Sequence, residues 1–207
     1  MLTDKSMYLQ LAPMPALPSS LPPAFTLAQA RAAGLTKKNV YRLRDQGELA
    51  VVTRGVFRRV DAQPESDYEL VEIALRVPRA TLCLETSLAR HGLSDAVTST
   101  HDIALPRAMR PPTTLAPIQW HFFQASTFEL GRELLALGDG VSIGLYSAER
   151  SIVDAFRLRG REGHDVANEA LRRWLRRRGS EPARLIALAT QLPRASTPLR
   201  HALEVLL

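Results

Sequence analysis

Hydrophobic and polar positions along this chain change period several times, and the changes mark its elements. Residues 27–33 (LAQARAA) place Leu27, Ala30 and Ala33 at helical spacing behind Thr26, which can cap a helix, and Gly34 closes the run. Thr36 opens the next helical stretch, KKNVYRLRDQG. At about 100° per residue, Val40 and Leu43 share one face, while Lys38, Tyr41, Arg42 and Asp45 share the other. Thr36 can accept the backbone N–H of Asn39, and Gly47 can take the left-handed conformation that ends a helix. The spacing therefore predicts a capped helix of about three turns. Two β-rich runs follow, residues 50–52 and 56–59, around Thr53-Arg54-Gly55. They predict a small hairpin with an arginine at its tip. A hairpin of this size is marginal in water by itself, so Val52, Val56 and Phe57 should staple it to the helices.

The rest of the chain reads in the same way. Residues 1–11 carry a weak helical pattern, and residues 12–25 form a proline-rich connector. A polar segment at 61–66 containing Pro64 serves as a linker, and Asp67 starts an amphipathic helix through Leu70, Ile73, Ala74 and Val77. The run ATLCLETSLARHG predicts a buried segment turning into a helix that stops at Gly92, with His91 at its C-terminal cap. Alternation in HDIALP and IQWHFF predicts two strands joined across the prolines of 107–117. Asp139-Gly140 is a two-residue hairpin signal, so ELLAL and VSIGLY on either side are expected as strands. Four helices should close the chain: one capped by Ser147 and running to about Arg159, then 165–178, one after Pro182, and one from Thr197-Pro198. The fold class expected is α+β. A winged helix-turn-helix at 1–60 precedes an α+β domain at 61–207, with a small antiparallel sheet and C-terminal helices.

Charge sharpens this division. The net charge is +6 over 207 residues. Residues 1–60 hold Lys5, Arg31, Lys37, Lys38, Arg42, Arg44, Arg54, Arg58 and Arg59 against Asp4, Asp45 and Glu48, which accounts for all of it. The balance of the chain is neutral and contains no lysine. An excess placed on one small domain is the electrostatic footprint expected for phosphate. Cys83 is the only cysteine, so no intrachain disulfide can form and a reducing cytoplasm is the expected compartment. No stretch reaches the ~20 apolar residues that would span a bilayer, and no export signal is read at the N-terminus.

Motifs for catalysis and cofactors are not found. The five histidines stand without metal-ligand spacing, and no nucleophile elbow, phosphate loop or dinucleotide fingerprint occurs. No metal, cofactor or enzymatic activity is expected. A nuclease of the carboxylate-and-lysine kind is disfavoured because residues 61–207 lack lysine. Asp154 interrupts an apolar run, and helical projection sets it beside Arg150 and Arg157 in surface ion pairs. The run RRWLRRR at 172–178 is either a second patch for a partner or a set of arginines complementing a helix dipole.

These residues support a named comparison. FTLAQARAAGL, a basic helix ending in QGEL and a wing reading TRGVFRR resemble the N-terminal domain of AbiEi-type antitoxins of type IV toxin–antitoxin systems. The resemblance continues through LETSLARHGLSD, HDIALPRAMRPP, YSAERSIVDAFRLR and GHDVANEALRRW. It implies a transcriptional autorepressor whose wing domain binds double-stranded operator DNA, and whose second domain counteracts an AbiEii-type nucleotidyltransferase toxin. Carried over by position, the DNA contacts fall on Lys37, Lys38, Tyr41 and Arg42 of the recognition helix and on Arg54, Arg58 and Arg59 of the wing. Two other readings stand beside it: a module that neutralises a toxin by direct contact, and a winged-helix regulator unrelated to toxins.

Overall fold

The computed structural model describes residues 16–61, 68–97, 99–114, 117–138, 141–162 and 164–207. The helix expected at 1–11, most of the 61–66 linker, the start at Asp67 and the Asp139-Gly140 turn lie outside the described residues. The chain divides into two compact units, Met1–Pro64 and Glu65–Leu207.

In the first unit β1 (Ala24–Thr26) leads into α1 (Leu27–Ala32), α2 (Lys37–Asp45), β2 (Leu49–Thr53) and β3 (Val56–Arg59). The strands form an antiparallel sheet in the order β1-β3-β2. The proline-rich connector therefore ends earlier than expected, since Ala24 and Phe25 belong to a strand. Three residues are too few to show alternation, and what recruits them is the open edge of β3. Phe25 lies opposite Phe57 in register, and their rings stack at 6.3 Å. Around them Ala30, Val40, Leu43 and Leu49 complete a small core. Thr26 closes a reciprocal cap on α1. Its hydroxyl accepts the Gln29 N–H at 3.1 Å, and the Gln29 carbonyl oxygen accepts the Thr26 N–H at 2.7 Å.

The stapling of the hairpin differs in one residue from expectation. Val56 and Phe57 are buried, whereas Val52 is half-buried and Thr53 takes the inward position. The cause is a register shift between Val51 and Thr53. An irregularity of this kind inserts a residue and reverses the alternation beyond it.

The second unit is built on a five-stranded sheet. Its elements are α3 (Tyr68–Arg76), β4 (Thr81–Leu82), α4 (Leu84–Arg90), β5 (His101–Pro106), β6 (Ile118–Phe123), α5 (Ala125–Phe128), β7 (Arg132–Gly138), β8 (Val141–Tyr146), α6 (Ala148–Arg157), α7 (Arg159–Glu162), α8 (His164–Leu175), α9 (Pro182–Thr190) and α10 (Ser196–Leu206). Strand order is β6-β5-β4-β8-β7. The antiparallel pairing expected here holds for β4 with β5 and for β7 with β8, while β4–β8 and β5–β6 are parallel. The segment 107–117 carries the chain back before β6 begins, so β6 runs beside β5 in the same sense. Alternation predicts a strand equally well for either direction, because a side-chain period of 2 is common to both. Beside the sheet, Leu88, Val153, Phe156, Leu171, Trp174, Leu185 and Leu199 join α4, α6, α8, α9 and α10 in one core.

Candidate nucleic-acid interface

The first unit carries the exposed basic residues that charge partition points to, and local chemistry sets where each one stands. Thr36 caps α2 by accepting the Asn39 N–H at 3.2 Å. Val40 and Leu43 then turn fully inward, and Gly47 at φ +80° ends the helix. That docking leaves Lys37 and Lys38 exposed in the first turn and Arg42 half-buried one turn later. Arg42 Nε is buried with no hydrogen-bond partner. At the hairpin tip Arg54 is exposed beside Gly55, whose φ of +82° a side chain with a Cβ would adopt only under strain. The Gly55 carbonyl accepts the Leu27 N–H at 2.9 Å, which fixes the turn to the start of α1. None of Lys37, Lys38, Arg42 and Arg54 is ion-paired with a described residue.

Tyr41 is placed by packing. Its ring meets Phe57 edge-on at 5.7 Å, with the Arg44 guanidinium 4.7 Å from its centroid and Lys37 Nζ at 5.7 Å. It therefore joins the helix to the hairpin and spaces the cations around it. Arg44, absent from the residues singled out by sequence, is paired with Asp45 at 2.5 Å. Its i+3 spacing from Tyr41 was the available signal.

Arg58 and Arg59 do not act as a pair. Successive strand residues point to opposite faces, so Arg59 follows Phe57 and Arg58 follows Val56. Arg59 is also engaged with Asp61, with Nε 3.2 Å from Oδ1 and Nη2 3.2 Å from Oδ2. The Arg59 hydrogen bond holds the Asp61 carboxyl below the ordinary carboxylate range. Asp61 is exposed and Arg59 half-buried.

The second unit corrects one expectation. Asp154 is fully buried, although it was expected in surface ion pairs. Its predicted partners are right: Arg150 Nε donates to Oδ2 at 2.9 Å, and Arg157 Nη2 lies 2.8 Å from Oδ1. Projection assumes a helix with an outer face, but α6 is buried continuously from Arg150 to Phe156 and has none over that stretch. Arg150 is itself inaccessible, its Nη1 donating to Thr127 O at 2.8 Å and Leu130 O at 2.6 Å. Gly131 makes room for it, since a Cβ there would fall 2.8 Å from Arg150 Cβ. Beside it, burial pushes the Tyr146 phenol above its ordinary range, and its hydroxyl donates to Phe128 O at 2.9 Å.

The patch at 172–178 is partly committed inside the chain. Trp174 belongs to the core, Arg173 grips Asp95 and Glu169, and Arg177 donates to His91 O. Arg172, Arg176 and Arg178 stay exposed. Among the described residues no cluster of three or more His, Cys, Asp or Glu could hold a metal ion, and no helix is long and apolar enough to cross a membrane.

A family model described as "Transcriptional regulator, AbiEi antitoxin" matches residues 15–60. Over these residues the chain is similar to AbiEi antitoxin regulators. The match takes in both helices, the sheet and every basic residue placed above on α2 and the hairpin. It stops short of the second unit. No curated protein matches the chain.

Proposed function

We propose that the first unit is a winged helix-turn-helix that binds double-stranded operator DNA, and that the chain is an antitoxin and autorepressor of a type IV toxin–antitoxin system. In this reading α2 enters the major groove by its N-terminal turn. Lys37 and Lys38 meet phosphates or guanine edges there, and the half-buried Arg42 reaches the adjoining backbone through the accessible part of its guanidinium. Arg54 enters the neighbouring minor groove or clamps its phosphates. Tyr41 holds α2 and the hairpin in one geometry, and Arg58 and Arg59 extend the contact from the two faces of β3. The second unit counteracts a nucleotidyltransferase-type toxin, and the chain has no enzymatic activity of its own. The observation that carries the proposal is the set of four cations without acidic partners among the described residues, displayed by a capped helix and a pinned turn in the unit that holds the whole net charge. The AbiEi match over the same residues supports it.

A transcriptional reporter driven by the DNA upstream of the gene tests this reading. Wild-type protein is expected to repress it. Arg54→Ala is expected to relieve repression through an affinity loss of about tenfold, the scale of one arginine contact, with unchanged thermal unfolding. Equal repression by both proteins removes the turn from the interface.

A second reading is direct contact with the toxin through the second unit. Its edge strand β7 leaves Leu134 68% exposed, beside backbone available for pairing with another chain.

A further inference from the structure

The second unit contains a cavity of about 620 Å³ at the carboxyl ends of the parallel strands β5 and β6, where the last turn of α6 and the turn between α9 and α10 converge. Three arginines line it, one from each direction: Arg107 just after β5, Arg157 from α6 and Arg194 from the turn. No carboxylate of the described residues lines it. Arg107 and Arg194 are exposed and form no ion pair with a described residue, whereas Arg157 is only 12% accessible. Arg194 sits in the turn at φ +66°, in the left-handed region. Trp120, Phe122 and Phe123 supply aromatic surface along the same cavity.

The charge balance behind this wall is incomplete. Arg150 and Arg157 share one carboxylate, Asp154, so the buried cluster retains one positive charge. Arg157 Nη2 lies at ion-pair distance from Asp154 Oδ1, yet the direction does not make a hydrogen bond, and both its Nε and Nη2 are buried without an acceptor. Those two nitrogens are closed off from the cavity, so an anion there meets the remaining accessible part of Arg157, with the unbalanced positive charge of the cluster behind it. The other carboxylate nearby, Asp102, is occupied by His121 Nε2 at 2.9 Å. The volume lies in the range of small-molecule sites, and the ends of parallel strands are where open sheets bind ligands.

We propose that this cavity binds a nucleoside phosphate, the arginines holding its phosphates and the aromatic wall its base. Arg157 forms the floor, Arg107 and Arg194 close over the phosphates, and Trp120 offers a ring for stacking.

Calorimetric titration of the full chain with ATP, GTP, CTP and UTP separately, and with inorganic tripolyphosphate, tests the proposal. At least one nucleotide is expected to bind more tightly than tripolyphosphate, with saturation below about 1 mM. Arg107→Ala with Arg194→Ala, both at the exposed rim, is expected to weaken that nucleotide about tenfold or more while leaving thermal unfolding in place. Trp120→Ala should weaken the nucleotide and leave tripolyphosphate unchanged. Absence of binding by all four nucleotides, affinity no better than that of tripolyphosphate, or insensitivity to the rim substitutions would overturn the assignment. None of these readings uses DNA, so the operator assignment stands or falls separately.

Discussion

Alanine at both Lys38 and Arg42 is expected to abolish the shift of operator DNA in a gel at physiological salt. Lys38 is exposed in the first turn of α2, and Arg42 stands half-buried one turn later, neither with an acidic partner among the described residues. Each basic contact to DNA is worth about 1–3 kcal/mol, so losing both should lower affinity by about 30-fold to more than 10⁴-fold. The fold should survive, because the buried side of α2 is Val40 and Leu43 and neither substitution touches it. Circular dichroism and the unfolding midpoint should match the wild type. The dependence of log affinity on log salt should also become shallower by about two units, one for each phosphate contact removed. A double variant that still shifts the operator at wild-type concentrations would remove α2 from the interface.

The largest effect on stability is expected at Asp154→Ala. The substitution leaves Arg150, with no accessible surface, and Arg157, at 12%, facing each other without their shared carboxylate. Removing one partner of a buried ion pair costs about 3–5 kcal/mol. The carbonyls of Thr127 and Leu130 and the Tyr146 ring, 4.2 Å from the Arg150 guanidinium carbon, soften the loss without replacing the charge. For a unit of this size the change should lower the second unit's unfolding midpoint by about 10 °C or more. DNA binding by the first unit at low temperature should be unaffected. A midpoint within about 2 °C of the wild type would mean that solvent reaches the cluster and that α6 is not enclosed as described.

How legible each of these features was in the sequence depends on how local its cause is. Thr36, Gly47 and Val40 with Leu43 are set by neighbours within a turn, so α2 could be read almost to its ends, as could β5 and β6 from their alternation. Strand direction is non-local. HDIALP and IQWHFF alternate identically whether they run parallel or antiparallel, and only the path of the intervening chain decides. β1 was invisible for a related reason, because Phe25 is a strand residue only through its pairing with Phe57.

The candidate site divides along the same line. Lys37, Lys38 and Arg54 could be placed as exposed cations from helix phase and turn chemistry. The placement of Tyr41, the engagement of Arg59 by Asp61 and the opposite facing of Arg58 and Arg59 depend on tertiary packing and register. Asp154 is the clearest case: one-dimensional projection gave its ion partners, but burial is decided by the helices and strands around α6, which projection does not contain.

The most direct test of the central claim is the salt dependence of binding to the DNA upstream of the gene, with a scrambled duplex of equal composition as competitor. The four cations free of acidic partners among the described residues, joined by Arg58 and Arg59, predict a slope of log affinity against log salt of about −3.6 to −5.4 per bound chain, together with retention of the upstream DNA against the scrambled duplex. A slope near zero, or equal affinity for the two duplexes, would contradict the assignment of α2 and the hairpin as an operator-reading surface.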